Sequence, residues 1–248
     1  MMLAEREETQ RRRPPRAAVA QPHTAEHRRR ERAASAPVYT ARAVRPHERA
    51  ALDAAFRLRH AVFARELGWV PALPGGHERD RSDAAAHHFA VFARHPDDSL
   101  RRPLVAYARV VLPGHGLMLE REFAALLAGR PLAVDVAHAF EVSRFVVHPD
   151  YRGWLGSDGR GPVEHLGRAI AQRALAAGRD EWLSVCELRH VRALRLRGLP
   201  FARFGRVVEY QPGVPVCAAR LDLRLAATRL RERRPGDYAW YLREDVAL

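Results

Sequence analysis

Short apolar segments of strand length alternate with amphipathic helical segments from Val38 onward, and this alternation limits the folds open to the chain. Strand patterns are predicted at 38–44, 87–94, 103–112, 140–147, 181–188, 201–210 and 214–223. Helical patterns are predicted at 47–68, 121–129, 163–178 and 189–199. Because strands that alternate with helices share one central sheet, the sequence predicts an α/β or α+β domain.

The segment before Val38 differs in composition from the rest of the chain. Residues 1–37 contain the arginine clusters RRRPPR and HRRRER and almost no large apolar residues, so they are predicted to form a disordered basic tail. Residues 38–248 are predicted to form a single domain. The N-terminus lacks the apolar stretch of a secretory signal, and no apolar run reaches the roughly 18 residues of a membrane helix. The sequence therefore predicts a cytoplasmic protein without a membrane span.

The net charge is +13, and all 42 basic side chains behind it are arginines, because the sequence contains no lysine. This excludes enzymes that need an ε-amine, such as Schiff-base enzymes and phosphate-loop ATPases. A basic chain can bind nucleic acid, but the arginines are spread along the sequence and no nucleic-acid-binding signature is present. Nucleic acid binding is therefore the non-enzyme alternative. The two cysteines are too few for a disulfide scaffold or a zinc cluster.

Several charged side chains interrupt apolar patterns. Arg59 lies on the apolar stripe of the first predicted helix, where its guanidinium group must pair with a carboxylate or a ligand, or else reach water along its own stem. Arg109 lies in an apolar strand, and Glu141 and Arg144 interrupt another. Residues three apart on a strand face opposite sides of the sheet unless a bulge redirects one of them, and bulges are common beside active sites.

Three carboxylates, Glu78, Asp80 and Asp83, fall within six residues. They can bind a cationic substrate, pair with buried arginines or form a solvated charged loop. A calcium site is less favoured because the spacing and central glycine of an EF-hand are missing.

A glycine-rich segment, 151–162, precedes the helix predicted at 163–178. Such a junction can present unpaired backbone N–H groups to an anion. The histidines at 87, 88, 148 and 165 have no metal-ligand spacing with cysteine, and no metal site is predicted.

Taken in order, these residues resemble the acyl-homoserine-lactone synthase family, whose members share the GCN5-related N-acyltransferase (GNAT) architecture. The matching positions are Arg59, Phe63 and Trp69 in RHAVFARELGW, Glu78, Asp80 and Asp83 in HERDRSD, Arg109 in AYARVVLP, Met118, Leu119 and Phe123 in LMLEREF, and Glu141, Ser143, Arg144 and Phe145 in FEVSRFVV. Ala106 stands where the family usually has glycine. Segments 86–92 and 205–217 look more like the acyltransferases associated with exosortase (PEP-CTERM) systems, which, like the N-acyl amino acid synthases, are relatives.

The resemblance implies a mixed, twisted sheet flanked by helices, with a V-shaped cleft between its central strands. It implies transfer of a fatty acyl group from acyl carrier protein, or from acyl-CoA, to the amine of an amino-acid-type substrate, with S-adenosylmethionine as the main candidate. An exosortase-associated acyltransferase and an N-acyl amino acid synthase are the alternatives. No permanently bound cofactor is implied. Because acyl carrier protein is acidic, it is expected to dock on a basic face.

The resemblance also implies roles for individual residues. Glu141 is the expected base that takes the amine proton. Backbone N–H groups of a bulge near Phe145 are expected to stabilise the thioester oxygen, with Ser143 and Arg144 completing the catalytic group. The expected amine-binding residues are Arg59, Phe63, Trp69, Glu78, Asp80, Asp83, Arg109 and Phe123.

Overall fold

The computed structural model describes residues 36–98, 100–132 and 134–242. The predicted tail lies outside the described residues except for Ala36 and Pro37, so the division of the chain at residue 37 stays a prediction. Seven strands form one sheet in the order β1-β2-β3-β4-β5-β7-β6. Their bounds are β1 Val38–Val44, β2 His87–Arg94, β3 Leu104–Val111, β4 Ala139–Val147, β5 Glu181–Glu187, β6 Ala202–Gln211 and β7 Val214–Asp222. All seven predicted strands are confirmed.

The centre of the sheet contains a V-shaped cleft, as predicted. Neighbouring strands are antiparallel except β4 and β5, which are parallel. These two strands pair only from Ala139↔Glu181 to Glu141↔Leu183. Beyond these pairs the described residues of β4 and β5 form no further ladder, and the strands diverge toward their carboxyl ends.

Five α-helices accompany the sheet in the described ranges: α1 Arg49–Arg59, α2 Pro162–Ala176, α3 Leu188–Leu196, α4 Leu223–Arg233 and α5 Pro235–Leu242. The sequence patterns did not indicate α4 or α5, since α4 has many arginines and α5 is only two turns long. Among the described residues, no helix is both long enough and apolar enough to cross a bilayer.

Two of the predicted helices differ from the structure. The helix predicted at 47–68 divides into α1 and a π-helical segment, His60–Glu66, in which hydrogen bonds reach back five residues, as from the Leu67 N–H to the Val62 carbonyl oxygen at 2.9 Å. The helix predicted at 121–129 is wrong. The structure has only a 3₁₀ turn there, Ala124–Leu127, which ends at Ala128 with a positive φ of 56°.

The apolar core lies on both faces of the sheet. One face packs against α2 and α3 and includes Phe140, Leu166 and Ile170. The other face packs against Leu58 of α1 and Val62 of the π-helical segment, and then against the turns of residues 113–127. The charged residues of the candidate site lie on this second face, between α1 and the turns, because Tyr107 and Arg109 of β3 point to that side.

Candidate active site

Arg59 is the last residue of α1 and has no exposed surface. Its Nε donates a hydrogen bond to Glu78 Oε2 at 2.5 Å, and its Nη1 donates to Asp83 Oδ1 at 2.6 Å. The guanidinium group is therefore buried and paired with carboxylates. Of the readings that the sequence left open, the one in which the side chain reaches water is wrong.

Arg109 and Arg144 reach the same carboxylates from the sheet. Arg109 Nη1 donates to Asp80 and, at 2.9 Å, to Asp83. Arg144 Nη2 donates to Glu78 Oε1 and to Asp80 Oδ2, each at 3.0 Å. Each of the three carboxylates thus joins two arginines, and the six side chains form a closed ring. We call these six residues, Arg59, Arg109, Arg144, Glu78, Asp80 and Asp83, the ion ring.

The ion ring is ionised and has no net charge. Burial by itself would raise the pKa of Glu78, Asp80 and Asp83, but the hydrogen bonds and charges of the arginines outweigh it, and the pKa of each carboxyl is lowered. The structure does not favour the calcium interpretation of these acids, because their carboxylate oxygens accept hydrogen bonds from guanidinium groups. Asp80 is the most accessible member, with 26% of its side chain exposed, followed by Arg144 with 16%.

A β-bulge explains how Arg144 joins this face. Tyr107 pairs with Val146, but Arg109 pairs with Ser143, so Ala108 alone opposes both Arg144 and Phe145. Arg144 has a φ of +53°, which is uncommon for a residue other than glycine. The extra residue interrupts the alternation of the strand, so that the side chains of Arg144 and Glu141 lie on the same side of the sheet. Ser143 remains in register and accepts a hydrogen bond from Arg109 Nε at 2.9 Å.

Aromatic rings form a wall beside the ion ring. Phe63 stacks on Trp69 with ring centroids 6.0 Å apart, and the Arg144 guanidinium lies 5.7 Å from the centre of the Phe63 ring. Tyr210 contacts both Trp69 and Phe123 through its ring, at 6.0 and 5.5 Å, and donates its hydroxyl to the Trp69 carbonyl oxygen at 3.1 Å. Sequence reasoning missed Tyr210, since it lies 141 residues from Trp69 and no motif marks it.

Glu141 lies apart from the carboxylates of the ion ring. Its side chain is almost fully buried, and its two oxygens accept the backbone N–H groups of Met118 and Leu119 at 2.6 and 3.1 Å. Burial raises the pKa of Glu141 to about 7 although these hydrogen bonds oppose the rise. The connection to the ion ring runs through Met118, whose Sδ lies 3.1 Å from Arg109 Nη2. Phe145 packs against the core on the other face of the sheet.

The glycine-rich junction before α2 uses several of its own backbone N–H groups. The Gly161 N–H donates to Glu164 Oε2 at 3.2 Å, and the N–H groups of Gly156 and Gly159 donate to carbonyl oxygens of the same segment. Helix α5 also packs here, where Trp240 Nε1 donates to Asp158 at 3.2 Å. The N–H groups of Gly156, Gly159 and Gly161 are therefore paired within the junction itself.

The mixed sheet with its cleft between two central parallel strands defines a GNAT fold, and residues 58–158 match the family model of the acetyltransferase (GNAT) domain. An acyl-homoserine-lactone synthase of Rhizobium radiobacter is 32% identical over 169 residues, which cover 65% of this chain and 74% of the relative. One of Rhizobium etli is 30% identical over 159 residues, covering 63% and 72%. The chain belongs to the acyl-homoserine-lactone synthase family.

The same fold is found in the crystal structure of the synthase LasI, with a TM-score of 0.61 at 22% identity over 76% of this chain and 91% of LasI. The family and the fold that the motifs predicted are therefore confirmed. The protein is an N-acyltransferase.

Proposed function

We propose that this protein joins a fatty acyl group to the amine of S-adenosylmethionine and releases an acyl-homoserine lactone. The observation that carries the proposal is the ion ring with its aromatic wall, placed beside the cleft of an N-acyltransferase fold. In the reaction, the amine nitrogen attacks the acyl thioester, the C–N bond forms, and the carrier thiol leaves with a proton. The substrate carboxylate then closes the lactone at the carbon next to the sulfonium, and a neutral thioether leaves.

Asp80 is the proposed anchor for the cationic substrate. It is the only acid of the ion ring with more than a tenth of its side chain exposed, so it is the one that a ligand can touch. Arg109 and Arg144 hold its two oxygens, and this orients the carboxylate before the substrate arrives. The rings of Phe63 and Trp69 provide an apolar, π-rich surface for a sulfonium group.

Glu141 is the proposed base. A pKa of about 7 suits a group that must accept a proton from an amine near neutral pH and release it afterwards. Its burial means that a water molecule or a shift of the Met118 segment must complete the path to the amine. The backbone N–H groups at the bulge of Arg144 and Phe145 are proposed to stabilise the thioester oxygen.

The proposed acyl donor is acyl carrier protein rather than acyl-CoA. A pyrophosphate would bind at a helix N-terminus after a glycine-rich segment, but here the Glu164 carboxylate occupies that position. In contrast, Arg195, Arg229, Arg233 and Arg234 surround a surface depression of about 360 Å³ between α3 and α4. Arg195, Arg229 and Arg233 are exposed and form no ion pair with a described residue.

An acidic carrier protein is complementary to this surface. Exposed Leu196, with 84% of its surface accessible, adds an apolar contact at the rim of the depression. S-adenosylmethionine and acyl carrier protein are both found in the cytoplasm, which is the location we propose.

Mass spectrometry of reactions containing S-adenosylmethionine and acyl carrier protein tests the proposal. An acyl-homoserine lactone is expected, and the Asp80→Asn and Glu141→Gln variants should form little of it while remaining folded. The exposed control Asp97→Asn should behave like the wild type. An N-acyl amino acid formed instead, with no lactone, would establish the alternative substrate class, and full activity of both site variants would refute the residue assignments.

Charge reversal tests the docking surface. The double variant Arg229→Glu and Arg233→Glu should raise KM for acyl carrier protein about tenfold or more, and leave the rate with a small acyl-pantetheine thioester unchanged. The matched control is Arg102→Glu with Arg130→Glu, two exposed arginines outside α3 and α4. An equal effect of both double variants would show that only the overall charge matters.

A further inference from the structure

His88 and Tyr107 form a buried pair directly beneath the ion ring. Tyr107 is fully buried and His88 is 7% exposed. The Tyr107 hydroxyl lies 2.7 Å from His88 Nδ1 and 3.5 Å from Arg59 Nη1, and the two rings stack with centroids 5.9 Å apart. On the other side of the imidazole, His88 Nε2 lies 3.2 Å from the backbone oxygen of Asp83. The pair thus connects the arginine of α1 to the loop that supplies the acids.

The partners determine the direction of these hydrogen bonds. The Asp83 carbonyl oxygen can only accept, so His88 Nε2 carries the hydrogen and donates it. In a neutral imidazole Nδ1 is then a bare acceptor, and the Tyr107 hydroxyl donates to it. The lone pairs of the Tyr107 oxygen then point toward the Nη1–H group of Arg59. In this series of hydrogen bonds from Arg59 to the Asp83 carbonyl, every donor meets an acceptor only when His88 is neutral with its proton on Nε2.

The turn from Asp80 to Asp83 connects this arrangement to the exposed acid. Asp83 Oδ2 accepts the backbone N–H of Asp80 at 2.7 Å, and Asp80 Oδ1 accepts the backbone N–H of Ser82 at 2.9 Å. The turn that begins at Asp80 is therefore tied to Asp83, the residue whose carbonyl oxygen His88 holds. The Arg59 guanidinium also lies over the Tyr107 ring, at 5.6 Å from its centre. The same tyrosine therefore contacts Arg59 directly and Asp83 through His88.

We propose that His88 and Tyr107 are positioning residues for the amine site, which hold Asp83 and Arg59 so that Asp80 meets the substrate ammonium group. The pair does not touch the substrate and takes no part in proton transfer. This inference rests on the proposed function for the identity of the amine.

Kinetics of two variants test the inference. Tyr107→Phe keeps the ring and removes the hydroxyl, and His88→Leu removes both hydrogen bonds of the imidazole. Each should raise KM for the amine about tenfold, the usual effect of losing one partner of a buried hydrogen bond, with kcat and KM for the acyl donor within about twofold of the wild type. His88→Gln, which can still donate to the Asp83 carbonyl, should restore part of the loss. His87→Leu is the control, since His87 is exposed on the opposite face of β2.

The pH profile separates positioning from general stability. Burial, the largest influence, lowers the pKa of His88; Arg59 and Arg109 lower it further, whereas Asp83 raises it. Phe56 and Tyr107 supply the remaining ring contacts. Protonation at acid pH gives His88 Nδ1 a hydrogen that conflicts with the Tyr107 hydroxyl. The rise of KM for the amine at acid pH should therefore be steeper in the wild type than in Tyr107→Phe.

Nitrogen-15 NMR of labelled histidine tests the arrangement without any substrate. A neutral His88 with its proton on Nε2 is expected at neutral pH. A charged ring, or a proton on Nδ1, would overturn the inference whatever the substrate is. If the NMR result is as expected but neither variant changes KM for the amine, the positioning role is refuted. If the wild type forms no lactone from S-adenosylmethionine, the proposed function fails, and the same kinetic comparison is made with the amine that it does acylate.

Discussion

Replacing Glu141 by glutamine should change the way in which the free energy of unfolding depends on pH. Burial is the main reason that the pKa of this carboxyl rises from an ordinary 4.5 to about 7, and the backbone hydrogen bonds from Met118 and Leu119 offset only part of the rise. A carboxyl whose pKa is raised by folding binds its proton more tightly in the folded state. Its contribution to stability is fully present below its unfolded pKa and is lost as the pH rises through its folded pKa.

The size of the effect follows from the two pKa values. The difference between 4.5 and about 7 corresponds to about 3 kcal/mol, since one pKa unit is about 1.4 kcal/mol. Glutamine does not titrate and resembles the protonated acid in shape. The stability of Glu141→Gln relative to the wild type should therefore increase by about 3 kcal/mol as the pH rises from below 4.5 to above 7.

Urea unfolding of both proteins at a series of pH values measures this difference. The ion ring is unchanged in the variant, so the titration of its acids cancels in the comparison. Glu120→Gln, an exposed glutamate in the neighbouring turn, is the matched control for the loss of one carboxylate charge. The reasoning is refuted if the difference between Glu141→Gln and the wild type is the same near pH 5 and near pH 8.5, because Glu141 would then not be a carboxyl with a raised pKa.

Three further substitutions test the packing around the site. Arg59→Met leaves buried carboxylates without their partner and should lower the free energy of unfolding by about 3–5 kcal/mol in urea; a loss below 1 kcal/mol would show that the other arginines compensate. Gly205→Ala should cost about 2–5 kcal/mol, because Gly205 has a φ of +68° and a Cβ there would lie 2.2 Å from the Leu126 oxygen. The control Gly213→Ala has a similar φ of +76° but open space, and equal costs would exclude the clash. Tyr210→Ala should raise KM for the amine severalfold in steady-state kinetics and Tyr210→Phe should not, whereas equal effects would assign the role to the hydroxyl.

The strands and the motif positions could be predicted because they depend on local patterns. Short apolar or alternating runs mark strands, and each of the seven predicted segments coincides with a strand of the sheet. The segment 121–129 has a helical composition, but Leu126 packs into the sheet core and the chain turns at Ala128. Tertiary packing there overrides the local preference for a helix.

The partners of the charged residues could not be predicted in the same way. The sequence places Arg59, Arg109 and Arg144 within apolar patterns, but it leaves open whether each reaches water, a ligand or a carboxylate. Arg144 shows the reason, since simple alternation points it away from Arg109. Only the bulge in β4, with a φ of +53° at Arg144, brings both side chains to Asp80.

The sequence by itself determined the strand pattern from Val38 onward, the residue types of the site, and the family resemblance that their order and spacing carry. Each of these depends on residues close together in the chain. The tertiary structure decided the closed ion ring, the buried position of Glu141, the contact of Tyr210 with Trp69 and the His88–Tyr107 pair beneath Arg59. These join residues far apart in the chain, and a hydrogen bond depends on atomic positions that only the packed sheet and helices determine.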